Sequence, residues 1–199
     1  MGMLHNLADL IKVKKDKMTI LVLGLNNSGK STIVNHFKKS SEQVAIMVPT
    51  VGFLVEQFYT NNVSINAIDM SGATRYRNLW EHQFKNCQGI MYVIDSSDRM
   101  RFVVVKDELE LVLQHPDVSN RTVPILFYGN KSDLEDSLSN VKIAAALGLE
   151  KIKEKPWHIC SSNAISGEGL DEGVQWLVQQ IRFAVLSNRY GAKITKHHK

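Results

Sequence analysis

A glycine-rich segment that ends in lysine and serine carries the strongest chemical signal in the sequence. Residues 24–31, the phosphate loop, read GLNNSGKS and fit the pattern G-x-x-x-x-G-K-[ST] at every fixed position. In such a loop the glycines let successive backbone N–H groups converge on a phosphate, Lys30 reaches the β and γ oxygens, and the Ser31 hydroxyl can ligate Mg²⁺. The predicted nucleotide contacts are Gly24, Asn26, Asn27, Ser28, Gly29, Lys30, Ser31 and Thr32.

A second polar segment, residues 130–133 (NKSD), directly follows a predicted strand, at the edge of the sheet where ligands bind. The Asp133 carboxylate can accept hydrogen bonds from N1–H and the exocyclic amine of guanine, whereas adenine would leave it unsatisfied. Alone, these residues would fit a solvated turn equally well. With the phosphate loop they predict guanine recognition by Asn130, Lys131 and Asp133, helped by a backbone N–H from Ser161 or Ser162.

Two further segments are spaced to sense a γ-phosphate. Thr50 follows the first predicted helix in PTVGF, where its hydroxyl can complete a Mg²⁺ shell. Asp69 ends a predicted strand in DMSG, where it can hold the ion directly or through water, with the Gly72 N–H toward the γ-phosphate. The predicted metal ligands are therefore Ser31, Thr50 and Asp69.

The order of apolar runs predicts the elements that position these residues. A strand at 18–24 and a helix at 30–38 flank the phosphate loop, and β-rich runs at 51–59 and 63–70 form an antiparallel hairpin. Strand-like and helical runs then alternate at 89–95, 99–114, 123–130, 140–147, 157–160 and 169–186. This alternation predicts an α/β fold built from βαβ units around a mostly parallel sheet.

Length and composition exclude several other classes of protein. With 199 residues, 44% apolar and 22% charged, the chain fits one ordinary globular domain, and neither disorder nor a disulfide scaffold. Cys87 and Cys160 lack metal-ligand spacing, so we expect buried, reduced thiols. Without a membrane-spanning run or a signal peptide, the expected location is intracellular.

Positive charge is concentrated at the two ends of the chain. The formal net charge is +4, with four lysines in residues 1–17 and five lysines or arginines, without an acid, in residues 182–199. A nucleic-acid-binding protein should carry this charge on its folded body, so we predict a membrane surface or protein partner instead. At the C-terminus the charge would serve solubility equally well. The predicted division is a helix with basic linker at 1–17, a nucleotide-binding domain at 18–186 and a basic tail at 187–199.

The N-terminal segment has the pattern of an amphipathic helix. Its apolar face comprises Met3, Leu4, Leu7, Ala8 and Ile11, and lysines follow directly. This arrangement favours an anionic membrane, although the same face can instead pack on the protein body. Gly2 permits N-myristoylation, but Asn6 stands where that signal has Ser or Thr, so we do not expect the lipid.

Taken together, the motifs resemble a known family. GLNNSGKS, PTVGF, DMSG, NLWEH and NKSD are similar in wording and order to small GTPases of the Ras superfamily, specifically the Arf and Arf-like branch, from about residue 2 to 183. The resemblance implies a P-loop GTPase fold with a six-stranded sheet, helices on both faces and an N-terminal amphipathic helix. It implies GTP or GDP and Mg²⁺ as ligands, and catalytic positions at Lys30, Thr50, Gly72 and Ala73.

The resemblance also implies partners. In the GTP state the family attaches to membranes, and the wording of this chain implies recruitment of a BBSome-type trafficking coat at the base of a cilium or flagellum. The expected protein is a cytoplasmic, peripheral-membrane monomer that does not bind nucleic acid. Its predicted coat contacts are Thr50–Gly52 and Arg75–Phe84, and its predicted membrane contact is the N-terminal helix.

Three departures from the family pattern limit these implications. Ala73 stands where the family carries the glutamine that orients the attacking water, and a methyl group cannot do this. Asn26 replaces an aspartate that is common in Arf phosphate loops. Ile68 and Gln83 stand at effector-surface positions where Arf proteins often carry aromatic residues, whereas Phe53 and Trp80 keep theirs. Generic Arf effectors are therefore not expected.

Three functions are compatible with these residues. The first is a GTP–GDP switch with slow hydrolysis, and the second is a binding module locked with GTP because Ala73 prevents turnover. The third is a P-loop ATPase or nucleotide kinase, against which Asp133 and the lack of an arginine-rich lid argue. We favour the first two, which share fold, ligand and partners and differ only in turnover.

Overall fold

The computed structural model describes the backbone of residues 16–60 and 62–194 and the side chains of 16–60 and 62–187. The predicted amphipathic helix and Gly2 lie outside the described residues. None of the helices in this described part combines the length and the apolar character needed to cross a membrane.

In the described part of the chain, six strands form one sheet, as predicted. They are β1 (Asp16–Leu23), β2 (Phe53–Thr60), β3 (Val63–Met70), β4 (Gly89–Asp95), β5 (Ile125–Asn130) and β6 (Trp157–Ser162). The order across the sheet is β2-β3-β1-β4-β5-β6. β2 and β3 form the predicted antiparallel hairpin, and every other neighbouring pair is parallel.

Helices cover both faces of this sheet. They are α1 (Lys30–His36), α2 (Glu81–Phe84), α3 (Phe102–Gln114), α4 (Pro116–Ser119), α5 (Asn140–Leu147) and α6 (Leu170–Ile194). In β1, Leu21 and Leu23 join the core that includes α3 and α5, whereas Ile20 and Val22 join the core that includes α1 and α6. Both faces of the central strands are apolar because both are covered, which explains why these strands appear as continuous apolar runs.

The cysteine prediction is confirmed. Cys87 and Cys160 are both buried free thiols, and burial raises the pKa of each to about 11. At neutral pH such thiols remain protonated and unreactive.

Most element bounds differ from the prediction by a few residues, and two of these differences are described here. β2 begins only at Phe53, because Gly52 turns the chain with a φ of 68° and its carbonyl accepts the Ser71 N–H at 2.8 Å. The last helix, α6, continues past Leu186, the predicted end of the folded domain, to Ile194.

Candidate functional site

The phosphate loop connects β1 to α1, and its backbone needs conformations that few residues adopt. Gly24 and Gly29 have φ angles of 136° and 97°, and Asn27 has 64°. A Cβ atom added at Gly24 would lie 2.1 Å from the Val93 carbonyl oxygen of β4. Glycine at this position is therefore required both by the backbone conformation and by packing against the sheet.

Lys30 begins α1, and its side chain folds back into the phosphate loop. The residue is 6% exposed, and Nζ donates a hydrogen bond to the Leu25 carbonyl at 2.8 Å. Burial lowers the pKa of Lys30 to about 8; the charge of Asp69 opposes this shift, while Arg77 and Arg101 add to it. The ammonium group is short of compensating negative charge, which a phosphate would supply.

Three oxygen-bearing side chains from separate segments meet beside Lys30. Ser31 Oγ donates to Asp69 Oδ2 and lies 3.0 Å from Thr50 Oγ1, which is 3.4 Å from the same carboxylate oxygen. Asp69 is buried, and within the described structure its other oxygen, Oδ1, has no hydrogen-bond partner. Burial raises the pKa of Asp69, although the Ser31 and Thr50 hydrogen bonds and the Lys30 charge counteract it. A cation that prefers oxygen ligands would satisfy the orphaned oxygen.

A cavity of about 350 Å³ lies over the phosphate loop. The predicted site residues that line it are Asn26, Asn27, Gly29, Lys30, Ser31, Thr32, Thr50, Gly72 and Ala73. It is also lined by residues not predicted as site residues, namely Met47, Val48, Pro49 and Ser71. The segments that were predicted to bind phosphate and to sense it therefore share one cavity.

The chain after β3 packs directly on the phosphate loop. A Cβ atom added at Gly72 would lie 2.2 Å from the Leu25 carbonyl carbon and 2.3 Å from the Asn26 nitrogen. Only glycine permits this approach. Ala73 follows it at the cavity wall and offers only a methyl group.

Arg77 connects the segment after β3 to α3 by hydrogen bonding and an ion pair, a role that the sequence did not indicate. Its Nε donates to the Gly72 carbonyl at 2.9 Å, and its Nη1 pairs with Glu108 Oε1 at 2.7 Å. The two side chains are 11% and 21% exposed. No local motif joins Arg77 to Glu108, so only the packing of α3 reveals the pair.

Asn130 holds together the loops around the predicted base site. Its Nδ2 donates to the Ser28 carbonyl at 2.8 Å, and its Oδ1 accepts the Ala164 N–H at 3.0 Å and the Ser162 hydroxyl at 3.3 Å. The Asn130 and Ser162 side chains are therefore buried in contacts with protein. They support the site from within, whereas Ser161 is exposed.

Lys131 and Asp133 lie on the outer side of the same loop. Lys131 has a φ of 62°, and its Nζ pairs with Asp95 Oδ2 at 2.6 Å. Burial alone would raise the pKa of Asp95, but hydrogen bonds from Lys131 and Ser97 outweigh it and hold the pKa below its ordinary value. Asp133 is exposed, so its carboxylate is open to a ligand.

The placement of Trp80 on an effector surface needs correction. Trp80 is 3% exposed, and its Nε1 donates to the Ser71 carbonyl at 2.9 Å. Ile68 and Phe84 are buried as well, since all three join the core that includes α3. Phe53, on the edge strand β2, is 44% exposed and remains accessible.

Comparison with known proteins gives a consistent result. The sequence profile of the ADP-ribosylation factor family matches residues 3–181. The chain is 53% identical to ADP-ribosylation factor-like protein 6 of Danio rerio over 182 residues, an alignment that covers 92% of this chain and 98% of that protein. It is 41% identical over 189 residues to the protein of the same name from Caenorhabditis elegans, with coverage of 95% and 100%. Among solved structures it is similar to the Arl6 BBS3 small GTPase from Trypanosoma brucei with bound nucleotide analogue GppNp, at 34% identity, a TM-score of 0.79, and coverage of 84% of this chain and 99% of that chain.

Proposed function

Because the chain belongs to the ADP-ribosylation factor family, we propose that it is a switch controlled by guanine nucleotides. The observation that carries this proposal is the convergence of the phosphate loop, Thr50 and Gly72 on one cavity. A terminal phosphate bound there would contact two chain segments outside the loop. Gain or loss of that phosphate would therefore order or release both segments.

Mg²⁺ is the cation that this site fits. Ser31, Thr50 and Asp69 supply only oxygen donors, and the buried Asp69 Oδ1 lacks a partner. Among the described residues no group of three His, Cys, Asp or Glu side chains could hold a metal by itself. Mg²⁺ suits such a site, since it is usually held by one or two carboxylates together with substrate phosphates and waters. When bound, the ion would neutralise charge on those phosphates.

Turnover of GTP to GDP and phosphate is the step for which this chain is poorly equipped. Lys30, Thr50 and Gly72, which line the cavity, would bind the phosphates, but Ala73 provides no group that could orient water. The proposed protein is a switch with slow hydrolysis. The alternative is a binding module that stays in the GTP state, which Ala73 favours.

Membrane attachment and coat recruitment complete the proposed function. In the GTP state the N-terminal helix would bind the membrane, and Thr50–Gly52 with Arg75–Phe84 would recruit a BBSome-type coat, at the cytoplasmic base of a cilium or flagellum. The similarity to the ADP-ribosylation factor-like protein 6 sequences supports this proposal. Exposed apolar side chains within and directly after Thr50–Gly52 support a protein contact: Val51, Phe53, Leu54 and Val55.

Base selectivity tests the nucleotide assignment. GTP should displace a fluorescent guanine nucleotide at concentrations at which ATP does not, because only guanine offers both donors to Asp133. Asp133→Asn should weaken GTP by at least about 100-fold and favour a xanthine nucleotide.

Asp136→Asn, a change to another exposed acid nearby in the chain, is the matched control and should leave the competition unchanged. Comparable displacement by ATP and GTP in the parent would exclude the guanine assignment.

A further inference from the structure

Arg101 contacts the phosphate loop from the connection between β4 and α3. Its Nη1 donates to both the backbone carbonyl and the side-chain Oδ1 of Asn26, at 3.0 and 3.2 Å. On the other side, its Nε pairs with Asp98 Oδ2. The guanidinium is thus held by Asp98 and in turn holds Asn26, a residue of the loop 75 positions earlier in the chain.

Asn26 lies at the part of the cavity that faces the predicted γ-phosphate sensor. The Asn26 nitrogen would be 2.3 Å from a Cβ atom on Gly72, so the two backbones are in direct contact. Asn26, Gly72 and Ala73 line the same cavity. A displacement of the loop at Asn26 would therefore alter the space in which a terminal phosphate has to fit.

Arg101 also brings positive charge to this part of the loop. Asp98 pairs with this guanidinium and offsets its charge, so Arg101 acts through its hydrogen bonds to Asn26. The space beside Gly72 would hold the terminal phosphate that GTP has and GDP lacks, so fixing Asn26 should affect GTP more than GDP.

We propose that Arg101 is a positioning residue that makes the phosphate loop prefer GTP to GDP by fixing its backbone at Asn26. The proposal rests on the proposed function as a guanine-nucleotide switch. Arg101 acts through Asn26, and the backbone contact between Asn26 and Gly72 carries its effect to the γ-phosphate.

The test compares release of a fluorescent GDP and a fluorescent nonhydrolysable GTP analogue from the full chain by stopped flow. Arg101→Ala should accelerate release of the GTP analogue about fivefold or more, the loss expected for a charge-assisted hydrogen bond, and change GDP release by less than about twofold. Arg101→Lys, which keeps the charge, should lie between parent and alanine variant. In an Asn26→Ala background the effect of Arg101→Ala should shrink, because one of its two acceptors is gone.

Arg99→Ala is the matched control. Arg99 belongs to the same turn, but its guanidinium donates to the Asp136 carbonyl at 3.2 Å instead of to the phosphate loop. It should alter neither rate. In Arg101→Ala, equal acceleration of release for both nucleotides, or no change for either, would overturn the proposal. If Arg101→Ala does not fold, equal acceleration or no change in both Arg101→Lys and Asn26→Ala would overturn it instead. A parent that retains no guanine nucleotide would refute the proposed function itself, which separates the two failures.

Discussion

Ala73 places a methyl group at the cavity wall where the family carries a glutamine. In-line attack on a γ-phosphate needs an oriented water, and a methyl group cannot orient one. The groups proposed to bind phosphate, Lys30 above all, do not depend on the missing amide. Tight binding and slow turnover are therefore compatible in this chain.

Restoring the amide should restore turnover. Ala73→Gln should raise the single-turnover rate of GTP hydrolysis by about tenfold or more, which corresponds to at least about 1.4 kcal/mol of barrier lowering. GTP affinity should change by less than about twofold, because the interaction is made mainly in the transition state. Ala73→Met, similar in length but without the amide, should stay slow. A parent that hydrolyses GTP as fast as Ala73→Gln would show that another group positions the water.

The position of individual residues was predictable where a motif encodes backbone geometry. Lys30 and Ser31 line the cavity over the phosphate loop, and the glycines around them fix that loop. The Arg77–Glu108 pair and the Arg101–Asn26 contact were not predictable, because tertiary packing and no local pattern brings these residues together. Trp80 was predicted on the effector surface but is buried, because its position depends on the core beneath it.

At the scale of elements, the segment between β3 and α2 is attached to α3 by the Arg77–Glu108 pair. Both side chains are largely buried, so removing one partner leaves the other charge without compensation. Arg77 also binds the Gly72 carbonyl, which connects this attachment to the phosphate cavity. The pair therefore contributes both to stability and to the position of Gly72.

A double-mutant cycle measures this contribution. Arg77→Ala and Glu108→Ala should each lower the free energy of unfolding by about 1–3 kcal/mol, and the double variant should lose less than their sum. Denaturant unfolding with the same bound nucleotide is the measurement. Arg182→Ala, which breaks an exposed pair with Asp16 at 3.7 Å, should cost less than about 0.5 kcal/mol. Strict additivity of the Arg77 and Glu108 effects would contradict direct coupling.

Elements were more predictable than their ends. Strand β4 has the predicted bounds because its burial on both faces gives an uninterrupted apolar run. The helix predicted at 99–114 instead begins with a 3₁₀ turn at Arg99–Arg101 and becomes α-helical at Phe102. That turn carries the Arg101 contact to Asn26, a long-range interaction that periodicity does not reveal.

At the scale of the whole molecule, the basic ends and the nucleotide site belong to different parts of the chain. Residues 3–11, which the sequence predicts to form an apolar helix face, precede β1 in the chain, and β1 leads directly into the phosphate loop. We therefore expect a nucleotide-dependent change in the body to affect the N-terminal segment. This connection is the basis of the proposed membrane switch.

Pelleting of the full chain with anionic phosphatidylserine liposomes tests that central claim most directly. Binding should be greater with a nonhydrolysable GTP analogue than with GDP, and the matching ATP analogue should have no effect. Replacing Leu4 and Leu7 by aspartate should abolish the difference, because the apolar face could no longer insert. Val141→Asp, at an apolar residue of α5 that is 79% exposed, should leave the difference intact. Equal pelleting in both guanine-nucleotide states, or an unchanged difference in the Leu4 and Leu7 variant, would contradict a GTP-dependent membrane switch.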